Sequence, residues 1–355
     1  MAGLSIAESL NSPTALGGPW KVYGSARRSI PTWFPSSLLH SYISFDAASL
    51  PDTRRKLSPL SAEITHLFWV AIQVRETEEQ NILVNQTMLS NVLHVLTSGS
   101  GSRLRHVTLQ TGTKHYMGPF DRVLPLSQTL SLPFREDTPR LPCPNFYYAQ
   151  EDLLASHSPP LAYSVHRSSI IIGASTRSFY NFLLTVAVYA AICKHEGLPF
   201  RFPGTRYAWE HFVDMTDARV LAEQQIWAAA TSRAKNEAFN CTNGDVFMWK
   251  TLWKALCDVF GVEFVPFDEN EEFDVVVAME GKGKVWDEIV REHGLERTKM
   301  EEITCFGAVR YVLSFGFQHV SSMTKSREYG FFGYADTLKC IRLWVNRLRN
   351  MKFIP

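Results

Sequence analysis

The chain has 355 residues, 45% of them hydrophobic and 20% charged, and a formal net charge of +1 at pH 7. That length can bury a large core in one big domain or two, and the composition is that of a soluble globular protein. A near-neutral balance gives no reason for broad attraction to nucleic acid or to an anionic membrane surface. Leu4 to Leu10 reads as the tail of an amphipathic helix, and Asn11 to Pro19 as a Pro/Gly loop. Met1 to Glu8 has no basic segment and carries an early acid, so no signal peptide is expected there. Strands are expected at Trp20 to Ser25 and Ser41 to Asp46, with a short polar helix over Asp52 to Leu57. His66 to Ile72 is nearly all apolar, as in a parallel strand buried on both faces. Glu79 to Leu96 carries apolar residues at helical spacing, and Leu104 to Leu109 alternates as a strand. Phe120 to Leu141 is a Pro-rich loop, and Ala162 to Val165 is another strand.

From Ser178 onward helices dominate, at Ser178–Lys194, Asp217–Ala229, Phe247–Phe260, Val285–Glu292, Glu302–Phe315 and Thr337–Leu348. Strands alternating with helices predict βαβ units and a parallel sheet. No apolar run is long enough to span a membrane. The six cysteines, at 143, 193, 241, 257, 305 and 340, show neither CxxC nor Cys/His metal spacing. Single thiols in a reducing compartment are therefore expected, with no disulfide and no metal. Asn85 and Asn240 match the glycosylation acceptor pattern but are expected to be idle. Ser98 to Arg103 imitates a phosphate loop, yet follows a helix and precedes a strand, the wrong order for that task.

The informative stretch is Gln110-Thr111-Gly112-Thr113-Lys114-His115-Tyr116, at the carboxyl end of a strand, where open α/β sheets keep their ligands. Downstream, Asn145 reads as the N-cap of a helix with Phe146, Ala149, Leu153 and Leu154 on one face. A strand-end lysine and a helical tyrosine are the working pair of short-chain dehydrogenases, usually as Tyr-x-x-x-Lys. None of the 12 tyrosines has Lys at i+4, so the pair here would be Lys114 and Tyr148, in reversed order. Tyr147 is the local rival, because neighbours on a helix point about 100° apart and only one can face a ligand.

These two motifs, Thr111 to Phe120 and Asn145 to Asp152, resemble the plant progesterone 5β-reductase/iridoid synthase family. The likeness continues through Gly17 to Gly24, Tyr189 to Gly197, Ala222 to Ala229, Lys235 to Cys241 and Lys325 to Phe331. It implies an α/β fold with a Rossmann-type doubly wound parallel sheet and a smaller, mostly helical C-terminal substrate domain. Residues 1–173 would form the NADP-binding part, and 174–355 a substrate-binding region partly interleaved with it. The family's pattern selects Tyr148 and Lys114 as catalytic: the tyrosine hydroxyl supports the developing enolate oxygen, and the ammonium lowers its pKa. Both would also touch the cofactor.

The same resemblance assigns Arg27 and Arg28, after the first expected strand, to the 2′-phosphate of NADPH, for which paired guanidinium groups are suited. Asp46 would lie near the adenine, with an N-cap or turn residue as the alternative reading. Gly3, Ala71 and Val165 would pass the cofactor as backbone, while His166 reads as structural. Phe331 and Phe332 resemble a pocket wall, or else are ordinary core aromatics. Two departures stand out. The family's Gly-x-x-Gly-x-x-Gly turn is met only at its last glycine, Gly3, so the first strand and the turn are expected to be missing, leaving the strands near Trp20 and Phe68 without a neighbour between them. Ser168 stands where the family has proline. The resulting expectation is a cytoplasmic, NADPH-dependent enzyme that reduces the C=C bond of enones by 1,4-addition. Its expected partners are a small enone and at most a second copy of the chain. A catalytically impaired paralogue with weak or no cofactor binding is the alternative, and a nucleotide-sugar epimerase is disfavoured by the absent Tyr-x-x-x-Lys.

Overall fold

A computed structural model describes residues 1–118 and 130–355. Pro119 and Phe120 of the strand-end motif, and the first part of the Pro-rich loop, lie outside the described residues. The elements that frame the site are α1 (Ala2–Leu10), β1 (Tyr23–Ala26), β2 (Ser41–Ser44), α2 (Leu50–Leu57), β3 (His66–Trp69), α3 (Glu78–Thr97), β4 (His106–Gly112), the single turn α4 (Lys114–Met117), α5 (Phe146–Ser156), β5 (Ala162–Ser168) and β6 (Ile170–Ile172). They continue with α6 (Phe182–Glu196), β7 (Met215–Asp217), α7 (Ala218–Ala230), β8 (Glu237–Cys241), α8 (Trp249–Phe260), α9 (Gly283–Glu292) and α10 (Thr337–Asn350).

The main sheet is parallel, in the order β3-β4-β5-β8. Its register sets His66 opposite His106, Gly112 opposite Ser168, and Ser164 opposite Glu237. Alternation along β4 sorts the two faces. Val107 and Leu109 join Val165 in a core under α3 and α5, with Leu89, Leu93 and Leu154. Thr108 points the other way and donates to Gln225 Oε1 of α7 at 2.9 Å. His166 meets Gln224 Oε1 at 2.9 Å on that same face, and burial pushes its pKa down to about 4. It is a neutral, structural imidazole.

β1 and β2 form a separate parallel pair, Tyr23 opposite Ser41. No ladder joins β1 to β3 among the described residues. Side chains link the two instead. The Trp20 ring stands edge-on to His66, with centroids 4.8 Å apart, and to Phe68 at 6.4 Å. Glu63 takes hydrogen bonds from Lys21 and Tyr23, both at 2.7 Å. Ile6 and Leu10 of α1 pack with Trp20, Val22, Phe68 and Val70.

α6 is apolar on all sides and buried along most of its length, as such a helix must be. Asn181 caps its start, accepting the Leu184 amide at 3.2 Å, and Gly197 ends it in the left-handed conformation. Trp253 of α8, Trp286 of α9 and Trp344 of α10 surround it. Several boundaries differ from the periodicity: β3 stops at Trp69 instead of running to Ile72, and α6 starts at Phe182 instead of Ser178. β5 runs on to Ser168 because the β4 and β8 ladders both extend to that residue. Phe247 and Met248 pair with Phe212 and Val213 as a short antiparallel strand before α8 begins. The helix expected over Glu302–Phe315 is two short ones, Met300–Ile303 and Phe306–Val312.

Candidate active site

The carboxyl end of β4 passes through Gly112 and Thr113 directly into the turn that starts at Lys114. Lys114 Nζ lies 2.5 Å from Glu78 Oε2, with both side chains only 11% exposed. The ammonium also sits 4.5 Å above the Phe146 ring. Glu78 opens α3, and its other oxygen accepts the Phe146 amide at 2.7 Å. Asn145 caps α5 as expected, accepting from the Tyr147 amide at 3.0 Å and donating to the Lys114 carbonyl at 3.0 Å. Three chain segments are thereby fastened at one point.

The two tyrosines part company here. Tyr148 turns inward: its hydroxyl donates to the His115 carbonyl at 2.5 Å and accepts the Leu141 amide at 3.1 Å. Its ring is edge-on to His115, and the Arg140 guanidinium lies 4.8 Å over it. Burial, the largest influence, raises its pKa. The expected depression of Tyr148 by Lys114 has no counterpart in these contacts. Tyr147 is half-buried and points along the sheet: a Cβ placed on Gly112 would stand 3.4 Å from its hydroxyl. Burial first, then the charge of Glu78 and the neighbouring Tyr180, holds its pKa well above the ordinary range. The hydroxyl stays protonated at neutral pH.

Behind this pair lies a buried ionic network. Glu151 sits 3.2 Å from His115 Nδ1, 3.1 Å from Arg167 and 3.2 Å from Arg140. Burial opposes its charge, but the His115 ring beside it and the Arg167 guanidinium prevail and bring the carboxyl down to about 2. A second buried chain supports Thr113. Its hydroxyl meets His319 Nε2 at 2.8 Å, and His319 Nδ1 lies 3.4 Å from Ser169 and 3.9 Å from Asp214.

The remaining expected residues divide by position. Arg27 and Arg28 follow β1 directly and are exposed. Their backbone carbonyls accept from Ser44 at 3.0 Å and Tyr42 at 2.7 Å, which ties the turn to β2. Asp46 lies just past β2. Its side chain accepts from the Ala48 amide at 3.0 Å, the turn role that was its alternative reading. Ala71 is exposed beyond the end of β3, and Gly3 is exposed near the start of α1. Val165 is not at a strand end: it is buried in mid-β5 opposite Leu109, because β5 is longer than expected. Phe331 packs on Trp227 in the core beside α7, at 5.5 Å between centroids, and Phe332 is 74% exposed. Ser98 to Arg103 contains no strand-to-helix junction and is a surface turn. Sequence reasoning did not find Glu78. Its Thr-Glu-Glu context signals only a helix start, and no spacing ties it to Lys114.

Residues 48–355 match the model of the PRISE-like Rossmann-fold domain. A 3-oxo-Δ(4,5)-steroid 5β-reductase of Arabidopsis thaliana is 45% identical over 100% of this chain and 91% of its own length. (S)-8-oxocitronellyl enol synthases of Camptotheca acuminata and Catharanthus roseus are 45% and 41% identical, again over 100% of this chain and 91% and 90% of theirs. Among solved structures, a UDP-glucose 4-epimerase of Thermotoga maritima superposes with a TM-score of 0.67 over 99% of this chain and 96% of that one. At 13% identity that likeness speaks for the fold alone. With this fold, these strand-end residues and relatives of such identity along its whole length, the chain belongs to the PRISE-like Rossmann-fold family of oxidoreductases.

Proposed function

We propose that the protein reduces the C=C bond of an α,β-unsaturated carbonyl compound, a steroid 4-en-3-one or an 8-oxogeranial-like enal, with NADPH. The relatives named for steroid 5β-reduction and 8-oxocitronellyl enol synthesis support this reading. The observation that carries it is the half-buried Tyr147 hydroxyl lying over Gly112 at the carboxyl end of β4. Arg27 and Arg28, on the turn after β1 with no carboxylate in ion-pair range among the described residues, fit the 2′-phosphate of the cofactor.

Arg27 and Arg28 would hold NADPH by its 2′-phosphate, and the cofactor when bound would supply the hydride for the β-carbon of the substrate. Negative charge then builds on the carbonyl oxygen as an enolate, and a proton from solvent completes the reduction at the α-carbon. Tyr147, kept protonated by its surroundings, donates its O–H to that oxygen, and a donor in this place stabilises the transition state by roughly 3–4 kcal/mol. Lys114 acts through position: with Glu78 it fixes the first turn of α5, and so the tyrosine. This assignment replaces Tyr148, whose hydroxyl is bound to two backbone groups. We also assign residues 1–173 to cofactor binding and 174–355 to the substrate, with α7 and β8 of the latter returning to the sheet. A cytoplasmic location, and assembly no larger than a homodimer, complete the proposal.

The test is an assay of the full chain for NADPH consumption with progesterone and with 8-oxogeranial, resolving products by mass. Reduction of the C=C bond supports the proposal, and carbonyl reduction to an allylic alcohol rejects it. The lack of a ladder between β1 and β3 among the described residues favours a second reading, an impaired relative with weak cofactor binding. That reading predicts no upward shift of the thermal melt with NADPH.

A further inference from the structure

The turn after β1 receives a third arginine from far along the chain. Arg177 stands on the segment between β6 and α6, and its Nη1 donates to the Ser29 carbonyl at 2.5 Å. One residue earlier, Thr176 accepts the Trp33 indole N–H at 2.9 Å. The two segments are therefore joined by two hydrogen bonds. The Tyr42 hydroxyl, which donates to the Arg28 carbonyl, lies in the field of both Arg28 and Arg177. The Arg28 charge also reaches Arg177: burial first, and then Arg28, moves the pKa of Arg177 down. None of Arg27, Arg28 and Arg177 has an ion pair with a carboxylate among the described residues. Arg177 makes no protein hydrogen bond through Nε or Nη2 there either.

Like charges held together without an acid destabilise a fold unless an anion completes them. The chain has 35 acidic residues, and some exposed arginines meet them, as Arg206 meets Glu269 and Arg310 meets Asp274, while others do not; what sets this turn apart is that three come together in it. A phosphate monoester offers three acceptor oxygens and close to two negative charges, which suits several guanidinium forks at once. We propose that Arg177 is a third ligand of the cofactor's 2′-phosphate, beside Arg27 and Arg28, and so a determinant of NADPH over NADH. This rests on the NADPH reading above. It gives the segment leading into α6 a contact with the far end of the cofactor, so that the C-terminal part of the chain senses which dinucleotide is bound.

The test is calorimetric titration of the full chain with adenosine 2′,5′-bisphosphate and with adenosine 5′-monophosphate, which differ only in the 2′-phosphate. Arg177→Ala is expected to weaken the bisphosphate roughly tenfold and the monophosphate less than twofold, since a charged hydrogen bond is removed from one ligand only. Arg177→Gln keeps a donor for the Ser29 carbonyl but no charge, and is expected to lose the same discrimination. Arg177→Lys should recover part of it. Equal weakening of both ligands, or full discrimination in Arg177→Gln, would show a structural arginine and overturn the proposal. If the unaltered chain does not distinguish the two ligands, the NADPH reading falls with it. If the unaltered chain distinguishes them and both uncharged variants do too, only the role of Arg177 falls.

Discussion

Glu78, at the first residue of α3, pairs with Lys114 at 2.5 Å while accepting the Phe146 amide at 2.7 Å through its second oxygen. One carboxylate thus joins the end of β4 to the start of α5. The pair is nine-tenths buried, and removing one member of such a pair typically costs roughly 3–5 kcal/mol. Glu78→Gln and Lys114→Met should each destabilise the protein by about that much in denaturant unfolding. The double variant should lose less than the two together, because neither charge is then left buried. Simple additivity would show that the two residues act independently.

The neighbouring tyrosines separate catalysis from stability. Tyr147→Phe should lower kcat about 10²–10³-fold and leave NADPH affinity and melting temperature nearly unchanged, because its hydroxyl acts on charge formed in the transition state. Tyr148→Phe strips a partner from the buried Leu141 amide and the His115 carbonyl. It should cost roughly 1–3 kcal/mol of stability and change kcat only a few-fold at saturating cofactor. Steady-state kinetics beside thermal melts read both effects. A large kcat loss confined to Tyr148→Phe would return the catalytic role to that residue.

Arg27 and Arg28 set a third expectation. The unaltered protein should use NADPH with a higher kcat/KM than NADH, and Arg27→Ala with Arg28→Ala should remove most of that preference, at roughly 1.5–3 kcal/mol for each charged contact. Turnover at saturating cofactor should change little, since neither side chain is near the reacting atoms. Equal efficiency with the two cofactors before mutation rejects the assignment.

How far these features could be read in advance depends on whether the cause is local. β4 is marked by alternation because its two faces meet different layers. The start of α5 is marked by Asn145, since a cap is a side chain bonding its own helix. Arg27 and Arg28 follow from position after a strand. That the Tyr148 hydroxyl is tied up is not legible. It is bound by the His115 carbonyl and the Leu141 amide, one from another element and one from a loop. Glu78 and Arg177 were hidden for the same reason: their partners lie far away in sequence, and nothing in a Thr-Glu-Glu helix start or a Ser-Thr-Arg loop names them. The full length of β5 is hidden in the sequence because Ser164, His166 and Arg167 are polar but buried, each held by a hydrogen bond with another element.

The buried chain behind Thr113 predicts a pH dependence of stability. Burial pushes the Asp214 carboxyl up to about 7, from an ordinary 3.8, against the Ser321 amide that donates to it. Burial also pushes His319 down to about 4, from 6.5. Both groups are therefore neutral in the fold between pH 4 and 7. For Asp214 the folded pKa is raised, so its contribution is intact below about 3.8 and is lost as pH rises towards 7, where only the unfolded chain ionises freely. For His319 the folded pKa is lowered, so stability is lost as pH falls from 6.5 towards 4. Asp214→Asn keeps a carbonyl acceptor for the Ser321 amide and cannot ionise. It should therefore stabilise the protein at pH 8 by as much as about 4 kcal/mol, the equivalent of three pKa units, and by little at pH 4.5. His319→Gln should do the reverse, with its gain at pH 4.5. Guanidinium unfolding of both variants at the two pH values checks this. A gain from Asp214→Asn of the same size at both would mean that the carboxyl is already charged in the fold, and that its neighbours, His319 foremost, hold it as an ion.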